Sequence, residues 1–211
     1  PVGHLPAAAG GPQLELEATL EALRRPLTDP AIPKVGHNLE YDYTVLARLG
    51  LAAQPLAFDT MIAEWLCNPA SHNLGLKNLA WVRLGVEMTE ISQLIGTGKA
   101  QRSMAEVPIA EVAPYASADA EVCLRLKAQL EPELEQKRQL ALFRELEMPL
   151  VPVLAHKEMA GVLLDLEFLG ALSEQLSRRL AELEKELYRQ VGHTFNLNST
   201  QQLSDVLFGE L

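Results

Sequence analysis

Twice in close succession a short apolar run ends on polar residues that open a helical pattern, and this alternation constrains the fold more than any other feature. Lys34-Val35-Gly36 is a short buried-strand candidate. It runs through His37-Asn38 into a pattern with apolar residues at 39, 41 or 43, 45, 46 and 49, Arg48 in the last turn and Gly50 as a left-handed stop. Leu56-Ala57-Phe58 repeats the theme, with Asp59-Thr60 capping a helix that reaches about Cys67 and ends at Asn68-Pro69. Strands alternating with helices predict an α/β domain. Around this unit the spacing predicts a helix carrying Leu14, Leu16, Leu20, Leu23 and Leu27, and two more near Leu74 to Leu84 and Thr89 to Ile95. A polar loop should run from Gly96 to about Met104, followed by a helix that starts at Pro108 and restarts at Pro114 before a long run to about Lys137.

The character then changes. From Leu140 to Ala160 and from Leu166 to Val191 the pattern is long, leucine-rich and charge-laced, broken only at Gly161 to Asp165. Glu182, Glu184 and Glu186 interleave with Arg178, Arg179 and Lys185, so the second of these helices reads as a solvated rod. Asn198 or Ser199 should cap a last helix. The domain boundary is expected near residues 138–148, giving one domain over 1–140 and the start of another over 141–211.

Composition narrows the class. At roughly 100–200 residues per domain, 211 residues that are 48% hydrophobic suit one medium domain and a smaller piece, not a disordered chain. No apolar run approaches the roughly 20 residues of a membrane span, and no leader pattern opens the chain. Two cysteines, Cys67 and Cys123, suggest neither a disulfide framework nor a zinc site, and a cytoplasmic setting is expected. Eighteen basic against 28 acidic residues, a formal charge of −10, argue against gripping nucleic acid by bulk positive charge. The start at Pro1 without a Met, and the stop at Leu211 inside an amphipathic segment, read as the ends of a fragment.

Two constellations could carry chemistry. In His37-Asn38-Leu39-Glu40-Tyr41-Asp42, Asn38 and Asp42 are four apart and share a helix face at the carboxyl edge of a strand, where α/β sites form. In Tyr115-Ala116-Ser117-Ala118-Asp119 the same spacing aligns a phenol and a carboxylate beside small residues. Taken singly, a helix cap with a solvent-facing Asp and a surface hydrogen bond account for them better; together they point to a site. The loop Gly96 to Arg102 offers Lys99 and Arg102 for phosphates, against a plain solvated loop as the alternative. Lys77 and Arg83 read as surface charges, Asp59 as a cap, and His37 as a neighbour of the site without a role.

Gly36 to Asp42, Phe58-Asp59-Thr60-Met61 and Tyr115 to Ala120 resemble the second and third exonuclease motifs of the proofreading domain in family A DNA polymerases, the bacterial DNA polymerase I type. Glu147 to Leu154, Gly161-Val162 with Asp165, and Phe195-Asn196-Leu197-Asn198-Ser199-Thr200-Gln201-Gln202-Leu203 are similar to the start of that family's polymerase domain, leading into the thumb. The resemblance implies a ribonuclease-H-like exonuclease fold followed by a mainly helical region. It also implies four carboxylates that bind two divalent ions, Mg²⁺ or Mn²⁺, for which oxygen ligands are the expected chemistry. By the resemblance Asp42 and Asp119 would be ligands, Tyr115 would orient the attacking water and Asn38 would support the second motif; Asn38, together with Lys99 and Arg102 from the loop reading, makes up the expected substrate-binding set.

The family's first motif, an Asp-x-Glu on a strand, does not occur before Lys34; Glu15 and Glu17 belong to a helix. The expectation is therefore a nuclease domain short of its first motif, nearly inactive alone. Its parent would be a monomeric, nucleoid-associated polymerase of replication and repair that meets a single-stranded 3′ end at one site and a primer-template duplex at the thumb. A stand-alone nuclease of the ribonuclease D kind and an inactive exonuclease fold kept as a scaffold are the alternatives.

Overall fold

The computed structural model describes residues 2–210, so Pro1 and Leu211, on which the fragment expectation rests, lie outside the described residues. The chain forms two compact units, Pro1–Gly161 and Val162–Leu211.

In the first unit, a single turn α1 (Pro6–Ala9) and the helix α2 (Leu16–Thr28) precede β1 (Lys34–Gly36), α3 (Leu39–Arg48) and β2 (Leu56–Asp59). The strands pair in parallel, with Val35 opposite Phe58 and Gly36 opposite Asp59, and an irregularity between Lys34 and Val35. Parallel neighbours need a crossover, and α3 supplies it. The Lys34 ammonium ties down the approach to β1 by donating to the carbonyls of Asp29, Ile32 and Gln54. Next come α4 (Thr60–Cys67), α5 (Leu76–Leu84), α6 (Ile91–Ile95) and two short 3₁₀ turns, then the long helix α7 (Ile109–Gln136).

On α7 Val122, Leu126, Leu130 and Leu134 recur every four residues and are all buried, so one stripe packs against α4, α5 and β1. Burying each such side chain contributes about 1.5–3 kcal/mol. α7 does not restart at Pro114 as the sequence predicts: the helix runs unbroken through Pro114 and Pro132, the second of them bracketed by the buried Leu130 and Leu134. At Pro132 the missing N–H costs less than abandoning the apolar stripe on either side of it.

The first unit also extends past the expected boundary at 140/141. α8 (Leu140–Leu142), a π-helical turn over Phe143–Glu147 and α9 (Met148–Ala160) belong to it. Phe143 is fully buried with its ring 4.8 Å from that of Phe58, and Met148 and Val151 join the same core. Arg83 adds a polar tie by bridging buried Glu64 and half-buried Glu133, each at under 3 Å.

The second unit consists of α10 (Leu166–Val191), α11 (Thr200–Asp205) and a π-helical turn over Val206–Glu210. Asp165 caps α10 by accepting from the Phe168 amide, and Gly192, at φ 89°, ends it. No described residue of α10 is buried, as expected of a solvated rod. Ser199 rather than Asn198 caps α11, accepting from the Gln202 amide.

Candidate active site

The site begins where β1 turns into α3. A Cβ on Gly36 would stand 2.5 Å from Leu39 Cδ2, so any larger residue here would have to displace the buried Leu39 side chain that packs over the strand end. Asn38 then adopts a left-handed conformation, φ 57°, which Asn tolerates better than most residues. Its side chain makes no capping bond. The capping is done from the next strand: Asp59, 1% exposed, accepts from the amides of Asn38 (3.1 Å) and Leu39 (2.6 Å) at the head of α3. The same carboxylate accepts from Met61 (2.8 Å) and Ile62 (3.4 Å) at the head of α4. The expected cap is thus a joint between two helices and both strands.

A cleft of about 670 Å³ opens there, and Asn38, Asp42, Tyr115 and Asp119 all line it. Two motifs far apart in sequence are brought together because α7 packs against β1. Asp42 faces the cleft and makes no side-chain hydrogen bond or ion pair among the described residues. The surrounding walls withhold water from it and Asp59 adds negative charge, so its carboxyl is pushed above the usual value. Tyr115 is raised as well, by burial first and then by the Asp119 carboxylate, and its phenol stays protonated near neutral pH. Cys123, one turn beyond Asp119, is pushed up to about 11 by burial and then by the charges of Asp119, Asp59 and Asp42. Three carboxylates therefore act on one point.

The residue that sequence reasoning missed is Lys77. Read as a surface charge, it lies on α5 with its ammonium ion-paired to Asp119 and 4.2 Å from the centroid of the Tyr115 ring. No local spacing shows this, since Lys77 and Asp119 are 42 positions apart. Arg83, also read as a surface charge, is the core tie described above. His37 Nδ1 meets Thr60 Oγ1 at 2.9 Å while that hydroxyl donates to the Gly36 carbonyl. The expected phosphate holders are not brought in: neither Lys99 nor Arg102 lines the cleft. The Arg102 guanidinium instead donates twice to the Leu94 carbonyl, folding the loop onto α6.

Does the site suit divalent ions? In kind it does: Asp42 and Asp119 are oxygen donors facing a common cleft, as hard cations require. In number it is short, because among the described residues no three His, Cys, Asp or Glu stand close enough to hold a metal.

The 3′-5′ exonuclease family of the DNA polymerase A type matches residues 8–135, more than half of the chain. The chain belongs to that family. The resemblance read from the motifs is thereby confirmed, and with it a ribonuclease-H-like exonuclease fold followed by helices. This exonuclease-family chain is 42% identical to DNA polymerase I of Chloroflexus aurantiacus over 214 residues, covering 100% of the chain and 22% of that protein. It spans about a fifth of the length of the curated relatives it matches. Among solved structures, the polymerase domain of Pol1 from M. smegmatis, in complex with DNA primer-template and dNTP, is similar at 27% identity and TM-score 0.74, covering 94% of this chain and 31% of that one. NrnC of Brucella melitensis bound to pGG is similar at 27% identity and TM-score 0.56, covering 72% of this chain and 68% of its own; it has also been solved with bound Mg²⁺.

Proposed function

We propose that this chain is the proofreading part of a DNA polymerase of the polymerase I type, and that its cleft receives the 3′ end of a single DNA strand for hydrolysis of the terminal phosphodiester. The observation that carries the reading is the convergence of Asp42, Tyr115 and Asp119 on one cleft at the carboxyl end of a parallel strand. Asp42 and Asp119 supply two oxygen ligands for divalent cations, two of the four carboxylates that the family's motifs imply. Two such ions, when bound, would activate water and steady the departing 3′ oxygen. Tyr115, a protonated phenol beside Asp119, holds a water by hydrogen bonding instead of removing its proton. Asn38 offers its amide side chain to the strand end. The polymerase context is favoured over a stand-alone nuclease because the Pol1 likeness reaches 94% of the chain, whereas NrnC covers 72%.

The test is binding of 5′-labelled single-stranded DNA in Mn²⁺, with a free or a phosphorylated 3′ end, followed by fluorescence anisotropy. A preference for the free end that D42N and D119N each remove is expected, with negligible release of nucleotides by this chain alone. End-independent binding that ignores both substitutions would refute the reading, and vigorous metal-dependent hydrolysis would refute the incomplete-cluster account.

A further inference from the structure

The outer side of α5 carries an aromatic residue that the core does not use. Leu79 and Ala80 are buried, yet the next residue, Trp81, is 60% exposed. Its ring stacks on no other aromatic ring among the described residues. A single exposed apolar residue is ordinary, so the place of Trp81 is what counts. It walls a hollow of about 430 Å³ together with half-buried Met88 and exposed Glu87 and Glu90. Lys77 and Glu90 line both this hollow and the cleft of Asp42, Tyr115 and Asp119, so the two adjoin. Trp81 stands one helical turn beyond Lys77, about 6 Å along α5 and on the same face. The chemistry of the hollow selects what enters it. Glu87 and Glu90 repel phosphate, and Glu90 is fixed there because its side chain caps α6. The indole offers a flat apolar face, and Met88 a polarisable thioether beside it. An uncharged planar aromatic group suits such a surface, and a DNA strand with its 3′ end in the cleft carries one on every nucleotide.

We propose that Trp81 is a stacking platform for a nucleobase of the single strand, upstream of the terminal nucleotide in the cleft. The base lies on the indole with Met88 beside it, and the sugar-phosphate backbone stays outside, away from Glu87 and Glu90. Every base has a π face, so the platform adds affinity for single strands without selecting sequence. A base still paired in a duplex keeps its faces on its neighbours and cannot use the indole. This rests on the reading of the cleft as the site of the 3′ end.

The chain has two tryptophans, so W65F leaves Trp81 as its sole indole reporter. In Mg²⁺, W65F is titrated with a six-residue oligodeoxythymidylate and with the same strand made abasic at every position except the 3′ end. Anisotropy of 5′-labelled strands gives the affinities of the wild type, W81F and W81A, with circular dichroism to check their folding. The full strand is expected to quench Trp81 to saturation and the abasic strand to leave it unchanged. W81A should bind the full strand about tenfold more weakly, equivalent to about 1.4 kcal/mol, and W81F should keep most of the affinity. Both variants should bind the abasic strand as the wild type does. A full strand that leaves Trp81 unquenched, and that W81A binds as tightly as the wild type, would overturn the platform; a free-3′-end preference that D42N still removes would leave the nuclease reading standing. Quenching that depends neither on the 3′ end nor on Asp42 would overturn both.

Discussion

Asp59→Asn is the perturbation that reports most directly on how the site is built. Asp59 is 1% exposed and accepts from four backbone amides, three through Oδ1 and one, Leu39, through Oδ2. Hydrogen bonds to a charged group contribute about 1.5–3 kcal/mol each, and losing a helix cap costs about 1 kcal/mol. Asparagine can keep one oxygen for the Asn38, Met61 and Ile62 amides, but it must turn an NH₂ toward the Leu39 N–H, setting donor against donor. One charge-assisted bond is lost and three are weakened, so D59N should destabilise by about 2–3 kcal/mol. D59A strands all four amides and should cost about 4 kcal/mol. Both tryptophans, Trp65 and Trp81, lie in the first unit, so urea unfolding followed by tryptophan fluorescence reads this unit. A D59N midpoint indistinguishable from wild type at unchanged slope would refute the joint assigned to this carboxylate.

Further outcomes follow from the same structure. R83M removes the partner of Glu64, 2% exposed, and should cost about 3–5 kcal/mol in the same urea assay, less when combined with E64Q; equal losses would show that Glu64 does not depend on Arg83. F143A opens a cavity beside Phe58 and should cost about 3–5 kcal/mol on the tryptophan signal, whereas no effect would place residues past 140 outside the first unit. Burial holds the His37 imidazole below its ordinary value, partly offset by Asp59 and Asp119 and reinforced by Lys77. Because the folded state then binds this proton more weakly than the unfolded chain, His37 costs nothing at neutral pH and its share of stability is lost as pH falls below about 6.5. A nuclear magnetic resonance titration should show a midpoint below that of free histidine, rising in K77M; an ordinary midpoint in the wild type would contradict the burial argument.

Local patterns made much of the molecule legible. Both strands, the helices after them and the Tyr115-Asp119 face follow from periodicity and from stop residues such as Gly50 and Asn68-Pro69. What stayed hidden depends on contacts between distant segments. Lys77 carries no local sign that it meets Asp119. Asp59 could be read as the cap of α4 but not as the cap of α3, because the second role needs the strand pairing. Pro114 signals a break that α7 does not make, and the change of texture after Lys137 hides that Phe143, Met148 and Val151 return to the first core. Arg102 shows the converse, since a basic residue in a glycine-containing loop suggests a free phosphate holder, whereas in the structure its guanidinium donates to the Leu94 carbonyl.

The position of Asp59 has an electrostatic consequence. The amino end of a helix carries about half a positive charge and commonly serves as a ready anion site. Here the amino ends of α3 and α4 meet one buried carboxylate, so their macrodipoles are neutralised from within the protein. An anion entering this cleft finds the amino ends of α3 and α4 already occupied. In a chain of net charge −10, the lysines that line the cleft are Lys34, held by three carbonyls, and Lys77, paired with Asp119. The fold thus commits the dipoles of α3 and α4 to a carboxylate of its own, and both helices begin at a point where no added anion is needed.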